Sequence, residues 1–364
     1  MDFRKDRRIV MTFNLRKKGE FVFTAIQGGE EIVNPVVMNA EKGSLSSILD
    51  TIEEGFRLVM RTLNDVPTAI SFPFPGPADY SAGIIGDLSN FPAFRGGVPL
   101  GPYLKEKFKL PIFINNDGDL FTYGEAIAGA LPELNQKLLD AGIKKQYKNL
   151  IGIIIGTGFG AGIMINNHII HGDNGTAGEI CYLRDLTSPR FICEETVSSR
   201  GIVRIYNKLS GEKDNLLPED ILAIAEGKMK GNKRAAISAF AEMGYVAGEA
   251  LASVLTLIDG VAVVGGKIEK ASPYFMPALL NQMNSKIEKR DGTLFSRIPQ
   301  HVFNLDDERS FQQFIKDSSV EIEIPGTNRF IPYFPYKRSG VMVSKLGESK
   351  AVMIGAYVYA LNHL

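Results

Sequence analysis

Leu150-Ile151-Gly152-Ile153-Ile154-Ile155-Gly156-Thr157-Gly158-Phe159-Gly160-Ala161-Gly162 is an apolar run that breaks into alternating glycines. A second strand-like run, Ile163 to Ile170, follows, and then His171-Gly172-Asp173-Asn174-Gly175-Thr176-Ala177-Gly178-Glu179. The first run predicts a buried strand. Glycines beyond it carry no Cβ, so successive backbone N–H groups can converge on an anion. The chain then doubles straight back, which puts these glycines in a hairpin-like turn. A dinucleotide fingerprint differs, because its glycines open a helix. The spacing alone is equally compatible with an ordinary tight turn.

Upstream lies Pro111-Ile112-Phe113-Ile114-Asn115-Asn116-Asp117-Gly118-Asp119, followed by Gly124-Glu125-Ala126. Four residues of strand character deliver Asp117 to a strand end, and a helix of small residues over 120–130 follows. Asp117 at that place can cap the helix. It can also act as a general base at the C-terminal edge of a sheet, where open α/β folds bind their ligands. The two roles are compatible, since a capping carboxylate is held rigidly. Asn116 adds a neutral hydrogen-bonding group suited to a polyhydroxylated substrate.

At 364 residues the chain exceeds the usual size of one domain. Lysine plus arginine and aspartate plus glutamate balance at 41 each, which argues against general attraction to nucleic acid or to a membrane surface. Two cysteines, Cys181 and Cys193, make no disulfide framework and read as structural thiols in a reducing compartment. No apolar signal segment follows the charged start, and the most apolar helix, 235–258, carries Glu242 and Glu249. A cytoplasmic protein is expected.

The first third reads β-β-β-α-β-α-β, with strands at 8–14, 20–26 and 31–38 and a helix at 45–63. A strand at 68–73, a helix at 99–108 and a strand at 111–114 complete it. Strands at 149–155, 161–166 and 168–170 open a second part, whose helices dominate from 197 to 258. Gly244 and Gly248, one turn apart on the last of these, permit close helix packing. A strand at 261–264 ends in Gly265-Gly266, a helix follows at 272–287, residues 304–340 read as irregular, and a closing helix spans 350–362. This order predicts mixed sheets flanked by helices.

With these pieces in order the chain resembles the ROK family (repressors, uncharacterised reading frames and sugar kinases), from about residue 8 to 360. The resemblance rests on Asn116-Asp117 with Gly124-Glu125, on Gly156–Gly162, and on Gly175-x-Ala177-Gly178-Glu179. Pro75-Gly76-Pro77 and Asn90-Phe91-Pro92 look like the family's substrate-side loop, Val264-Gly265-Gly266 like its adenosine-binding turn, and Ile354-Gly355-Ala356 like the start of its last helix. The fold so implied is the two-domain actin-like ATPase (ribonuclease H-like) fold. Residues 1–120 with 350–364 would form the first α/β domain, and 121–349 the second, with helical insertions.

The resemblance further implies that Asp117 deprotonates the attacking sugar hydroxyl, while Gly76, Asn90, Asn116, Glu179, Tyr182 and Glu195 contact the sugar. Thr157, Gly158, Gly160, Gly265 and Gly266 would hold ATP, with Mg²⁺ as its metal, and a homodimer is compatible with it. Three departures stand out. Tyr182 occupies the position of the family's histidine, and the cysteine-rich segment is reduced to Cys193, so no structural zinc is expected. Asn14 replaces the aspartate that ends the first strand, and Arg16, Lys17 and Lys18 fill the usual glycine turn. Asn cannot supply the anionic charge that helps organise Mg²⁺. The cations either bind phosphate themselves or form a solvated hairpin turn.

Two functions follow: ATP-dependent phosphorylation of a hexose or N-acetylhexosamine, or a catalytically weak or inactive sugar-binding sensor. A DNA-binding repressor would need a helix-turn-helix ahead of the first strand, and only a short segment precedes it here. His168 and His171 read as turn histidines, Glu125 as a capping residue, and Glu194 as solvated. Glu195 reads equally as a sugar ligand or a surface salt bridge.

Overall fold

The computed structural model describes residues 2–15, 19–39, 44–86, 92–211, 215–316 and 319–364. The chain divides into two compact units. The first takes the chain up to Gly129, His168–Gly178 and Leu346–Leu364; the second takes Ala130–Asn167 and Glu179–Lys345. The sequence division falls after 120 and before 350. The packing keeps the helix that starts at Asp117 whole, and with it the excursion 168–178, in the first unit.

In chain order the first unit begins with β1 (Val10–Leu15), β2 (Glu20–Gln27), β3 (Glu30–Glu31), β4 (Val36–Asn39) and α1 (Leu45–Thr62). It continues through β5 (Ala69–Pro73), β6 (Ala78–Asp79), β7 (Ile84–Ile85), α2 (Leu100–Phe108), β8 (Ile112–Asn115) and α3 (Asp117–Ala128). Then come α4 (Ala130–Asp140), β9 (Leu150–Ile155), β10 (Phe159–Ile165) and β11 (His168–Ile169). The helices α5 (Ser199–Ser210), α6 (Pro218–Glu226) and α7 (Lys233–Ile258) precede β12 (Val261–Gly265) and α8 (Ser272–Met283). The last part holds β13 (Lys286–Glu288), β14 (Leu294–Ser296), β15 (His301–Asn304) and α9 (Glu308–Ile315). It closes with β16 (Val320–Ile324), β17 (Arg329–Tyr333), β18 (Arg338–Val343) and α10 (Glu348–His363).

The first sheet runs β3-β2-β1-β5-β8, with β4 also paired to β2. β1 and β2 are antiparallel, with Phe13 opposite Phe23, whereas β1, β5 and β8 run parallel. Alternation along β1 sends Met11 and Phe13 to one face and Thr12 and Asn14 to the other. On the first face Phe13 stacks on Phe72 with ring centroids 4.5 Å apart, and Phe56 of α1 meets Phe13 edge-on at 5.7 Å. Ile48, Ile52, Phe56 and Val59 share one side of α1 and are all buried, the helical spacing that pays the cost of ordering it. On the other face α10 returns to the sheet and crosses α3. A Cβ on Gly124 would collide with the Ala351 carbonyl, and one on Gly355 with the Leu120 carbonyl, so two glycines set this close approach.

In the second unit the strand order is β10-β9-β12-β18-β15. β10 is antiparallel to β9, and β9, β12, β18 and β15 are parallel. Every residue of β9 is buried, as expected for a parallel strand covered on both faces. The helix α7 packs on α8, where Gly244 lies against the Phe275 carbonyl and Gly248 against the Leu279 carbonyl. Among the described residues α7 is the one helix long and apolar enough to cross a membrane. Its buried residues, including Phe240, Met243, Leu251 and Leu255, form part of the unit's core. Its Glu249 accepts hydrogen bonds from Arg297 Nη2 at 2.7 Å and Gln282 Nε2 at 2.9 Å.

Two expectations are corrected. Residues 304–340 are not irregular: they hold α9, the β16–β17 hairpin and the start of β18. Asp307 caps α9, and Phe311 and Phe314 are its buried pair, a pattern too short to stand out by periodicity. The strand expected at 31–38 is instead two short pieces separated around Pro35, which has no N–H to give a ladder.

Candidate active site

In the first unit β8 ends at Asn115 and hands directly to α3. Asn116 is the cap: its Oδ1 accepts the Gly118 N–H at 2.7 Å. Asp117 Oδ1 accepts the same N–H at 2.9 Å, so the carboxylate is held at the first turn of the helix. Asn116 Nδ2 donates to the Tyr80 hydroxyl at 3.3 Å, and that hydroxyl donates to the Phe74 carbonyl at 3.0 Å. Gly76 borders this group, since a Cβ there would lie 3.0 Å from the Tyr80 oxygen. Asp117 is exposed to solvent. Protein crowded around the carboxyl nevertheless pushes its pKa above the ordinary 3.8, against the lowering effect of the Gly118 and Asp117 N–H groups.

The next carboxylate inward behaves differently. Asp119 is buried and its Oδ2 lies 3.0 Å from His171 Nδ1. This pair ties the excursion 168–178 to α3. Glu125, fully buried, accepts the Leu346 N–H at 3.0 Å and links α3 to the segment entering α10. Both residues therefore position the frame around Asp117. Asn14 lies on β1 opposite Val22 and lines a cavity with Thr12, Glu30 and Lys350, whose ammonium pairs with Glu30 at 3.1 Å. Asn90, and Arg16, Lys17 and Lys18, lie outside the described residues.

In the second unit the glycine turn forms between β9 and β10, as the sequence predicts. Gly156 N–H donates to the Gly158 carbonyl at 3.0 Å and closes the turn. Thr157 is exposed at its tip, and Cβ atoms on Gly156 or Gly160 would meet nothing within 4 Å. The N-terminus of α5 abuts the same turn, with Ser199 N–H donating to the Gly156 carbonyl at 2.7 Å. Gly265 pairs with Ile154 in the parallel register, so the Gly265-Gly266 turn leaves the sheet at the same edge. Gly266 has φ +103°, and a Cβ there would collide with the Ile155 carbonyl. The glycine turn and the Gly265-Gly266 turn thus leave neighbouring parallel strands at their carboxyl ends, the edge where open α/β sheets bind ligands.

A side chain that sequence reading treats as solvated sits at the centre of this edge. Glu194 Oε2 accepts the Phe159 N–H at 3.0 Å, and its Oε1 accepts from Arg200 Nη2 at 2.7 Å. The same guanidinium donates to Glu195 Oε1 at 3.1 Å. A Cβ on Gly158 would lie 2.7 Å from Glu194 Oε2, so the glycine is what lets the carboxylate approach. One signal for Glu194 is available, namely its place four residues before the cap of α5, whose first turn carries Arg200. The distance of 35 residues to Phe159 hid the rest.

Glu179 precedes the 3₁₀ turn Ile180–Tyr182, and Tyr182 is 71% exposed. Glu179 Oε2 accepts from the Cys181 thiol at 3.4 Å, and Cys193 Sγ donates to the Ile180 carbonyl at 3.1 Å. Both cysteines are free, and burial pushes each thiol pKa up to about 12, so both rest as neutral thiols. Among the described residues no three His, Cys, Asp or Glu side chains converge as a metal site. The structure thus gathers Gly76, Asn116 and Asp117 in one unit. In the other it gathers Thr157, Gly158, Gly160, Gly265 and Gly266, with Glu195 joined to the loop through Arg200 and Glu194.

The ROK family profile matches residues 21–301 of this chain. A crystal structure of glucokinase from Parabacteroides distasonis ATCC 8503 is 50% identical, covers 100% of both chains and superposes with a TM-score of 0.91. A ROK family glucokinase from Streptomyces griseus, in complex with glucose and AMPPNP, shares the fold at 16% identity, with 96% of this chain and 98% of that one covered and a TM-score of 0.58. The xylose repressor of Bacillus subtilis (strain 168) is 25% identical over 56% of this chain and 50% of the repressor. The match spans about half the length of such curated relatives. The fold is the mixed α/β actin-like ATPase fold, and the chain belongs to the ROK family.

Proposed function

We propose that this protein phosphorylates a hexose or N-acetylhexosamine at the expense of ATP, with Asp117 as the general base. The observation that carries this is Asp117 fixed by the Gly118 N–H at the C-terminal end of β8, beside the amide of Asn116. Its raised pKa suits it to accept a proton. A hydroxyl within hydrogen-bond reach of Asp117 would be deprotonated as its oxygen attacks, while Asn116, Asn90 and Gly76 orient the ring. Glu179, Tyr182 and Glu195 complete the proposed sugar contacts. Phosphoryl transfer asks mainly for this positioning and for charge stabilisation.

The donor side fits a nucleotide in its open Gly156 and Gly160 backbone, in the α5 N-terminus, and in the Gly265-Gly266 turn. Thr157, Gly158 and Gly160 would face phosphate oxygens, and Gly265 and Gly266 the adenosine. Mg²⁺, when bound with ATP, neutralises phosphate charge. The likeness to the Parabacteroides glucokinase supports glucose as the first substrate to test.

Two observations favour a second reading, a sugar sensor with weak or no turnover. Glu194 already occupies the Phe159 N–H on the loop, and Asn14 supplies no carboxylate at the end of β1. Coupled detection of ADP release with glucose and N-acetyl sugars separates the two. Under the kinase reading Asp117→Asn lowers the rate by about 10²–10⁴-fold with sugar affinity kept. Sugar binding without ADP release in the unaltered protein supports the sensor.

A further inference from the structure

The strands of the second sheet have an opposite edge, far from both glycine turns. There, ahead of Leu150, Val261 and Arg338, lies a cavity of about 760 Å³, within the size range of small-molecule sites. Its residues are disjoint from the glycine turns. Six residue steps, from Leu150 to Gly156, place it roughly 20 Å from the glycine turn along the strand.

Tyr147 and Phe314 form an aromatic wall, with ring centroids 5.8 Å apart and planes inclined by 31°. Phe334 and Tyr336 line the cavity from the segment before β18, and both are more than half exposed. The cavity is strongly cationic. Lys144, Lys145, Lys316, Lys337 and Arg338 border it, against one carboxylate among the described residues, Asp259. That carboxylate accepts from Gln300 at 2.8 Å. Lys145 Nζ lies 4.6 Å from the Tyr147 ring centroid. The Arg338 guanidinium is fixed by the Phe314 carbonyl at 2.6 Å and the Lys316 carbonyl at 2.5 Å. Burial lowers the Lys145 pKa, and Lys337 and Arg338 lower it further against the pull of Asp259.

Clustered cations repel one another, and the repulsion is relieved when an anion enters. Aromatic faces add contact area for a flat apolar body. From these observations we propose a ligand site, distinct from the glycine turns, for a small organic anion that carries an aromatic ring. Its acidic group meets Lys145 and Lys337, and its ring lies along Tyr147 and Phe314.

The probe is 8-anilinonaphthalene-1-sulfonate, an aromatic sulfonate that fluoresces when it leaves water, titrated into the full-length protein. Saturable binding is expected, weakened at least tenfold by Lys145→Glu and also by Lys337→Glu on the exposed rim. Phe330→Ser, on the exposed β17, should leave the affinity unchanged, as should saturating glucose with Mg-ATP. Absence of saturable fluorescence overturns the proposal. So does an affinity untouched by both charge reversals, lost in Phe330→Ser, or competed away by sugar and nucleotide. The site stands independently of kinase turnover.

Discussion

Glu194 Oε2 accepts the backbone N–H of Phe159 at 3.0 Å, placing a carboxylate on the loop whose glycines fit a phosphate cradle or an ordinary tight turn. An anion entering there must compete with it, and Arg200, 2.7 Å from Glu194 Oε1, is the group that would retain the displaced side chain. Glu194→Gln removes the competing charge and keeps the shape. Isothermal titration with Mg-ATP should show affinity tightened by about three- to tenfold, a modest gain because the group is partly solvated. Weaker binding in the variant would show instead that the carboxylate helps the nucleotide.

Asp117 must be ionised to take a proton from a hydroxyl. Its pKa is raised above 3.8 by the protein around it, so kcat/KM should fall as pH drops through a midpoint above that of an ordinary aspartate. A rate profile from pH 4 to 8 measures this. A limb at or below the ordinary value contradicts the assignment.

The crossing of α3 and α10 has no room for a methyl group at Gly355, where the Leu120 carbonyl lies against the glycine. Gly355→Ala should destabilise the protein by about 1–3 kcal/mol, the usual cost of overpacking. Urea unfolding at neutral pH reads this directly. An unchanged midpoint would mean that the helices separate freely.

Glu249 and Arg297 form a largely buried ion pair, with side chains 22% and 14% exposed. Burial alone would raise the Glu249 pKa; hydrogen bonds from Arg297 and Gln282 outweigh it and hold the carboxyl below 4.5. The resulting stabilisation is complete above the unfolded value of 4.5 and is lost as pH falls through the lowered folded value. Arg297→Met should cost about 1.5–3 kcal/mol at pH 7. It should also flatten the acid dependence of unfolding below the ordinary carboxylate value of 4.5. A variant that keeps the full acid dependence would place its origin in other carboxylates.

Much of the frame was legible because its signals are local. The β9 run, the glycine turn, the Asn116-Asp117 step and the Gly244–Gly248 spacing are each read within a few residues, and strand–turn geometry leaves little choice there. Elements that gain stability only from distant partners were less legible. The short strand β18 and the helix α9 look irregular in sequence, since three apolar residues in each decide nothing until a neighbouring element covers them.

The sequence by itself determined the alternation of strands and helices, the two glycine turns, and the carboxylate at the end of β8. Backbone sterics and hydrophobic period act over single turns, and composition records them. Only the tertiary structure decided what fills the glycine loop. Thr157-Gly158-Phe159 reads as an open cradle, but a carboxylate from 35 residues away rests on its amide. The same holds for Asp119 and Glu125, two acids on the helix that Asp117 begins, which His171 and the Leu346 N–H take into the frame. A carboxylate's role depends on which donor reaches it, and donors distant in sequence meet it only after folding.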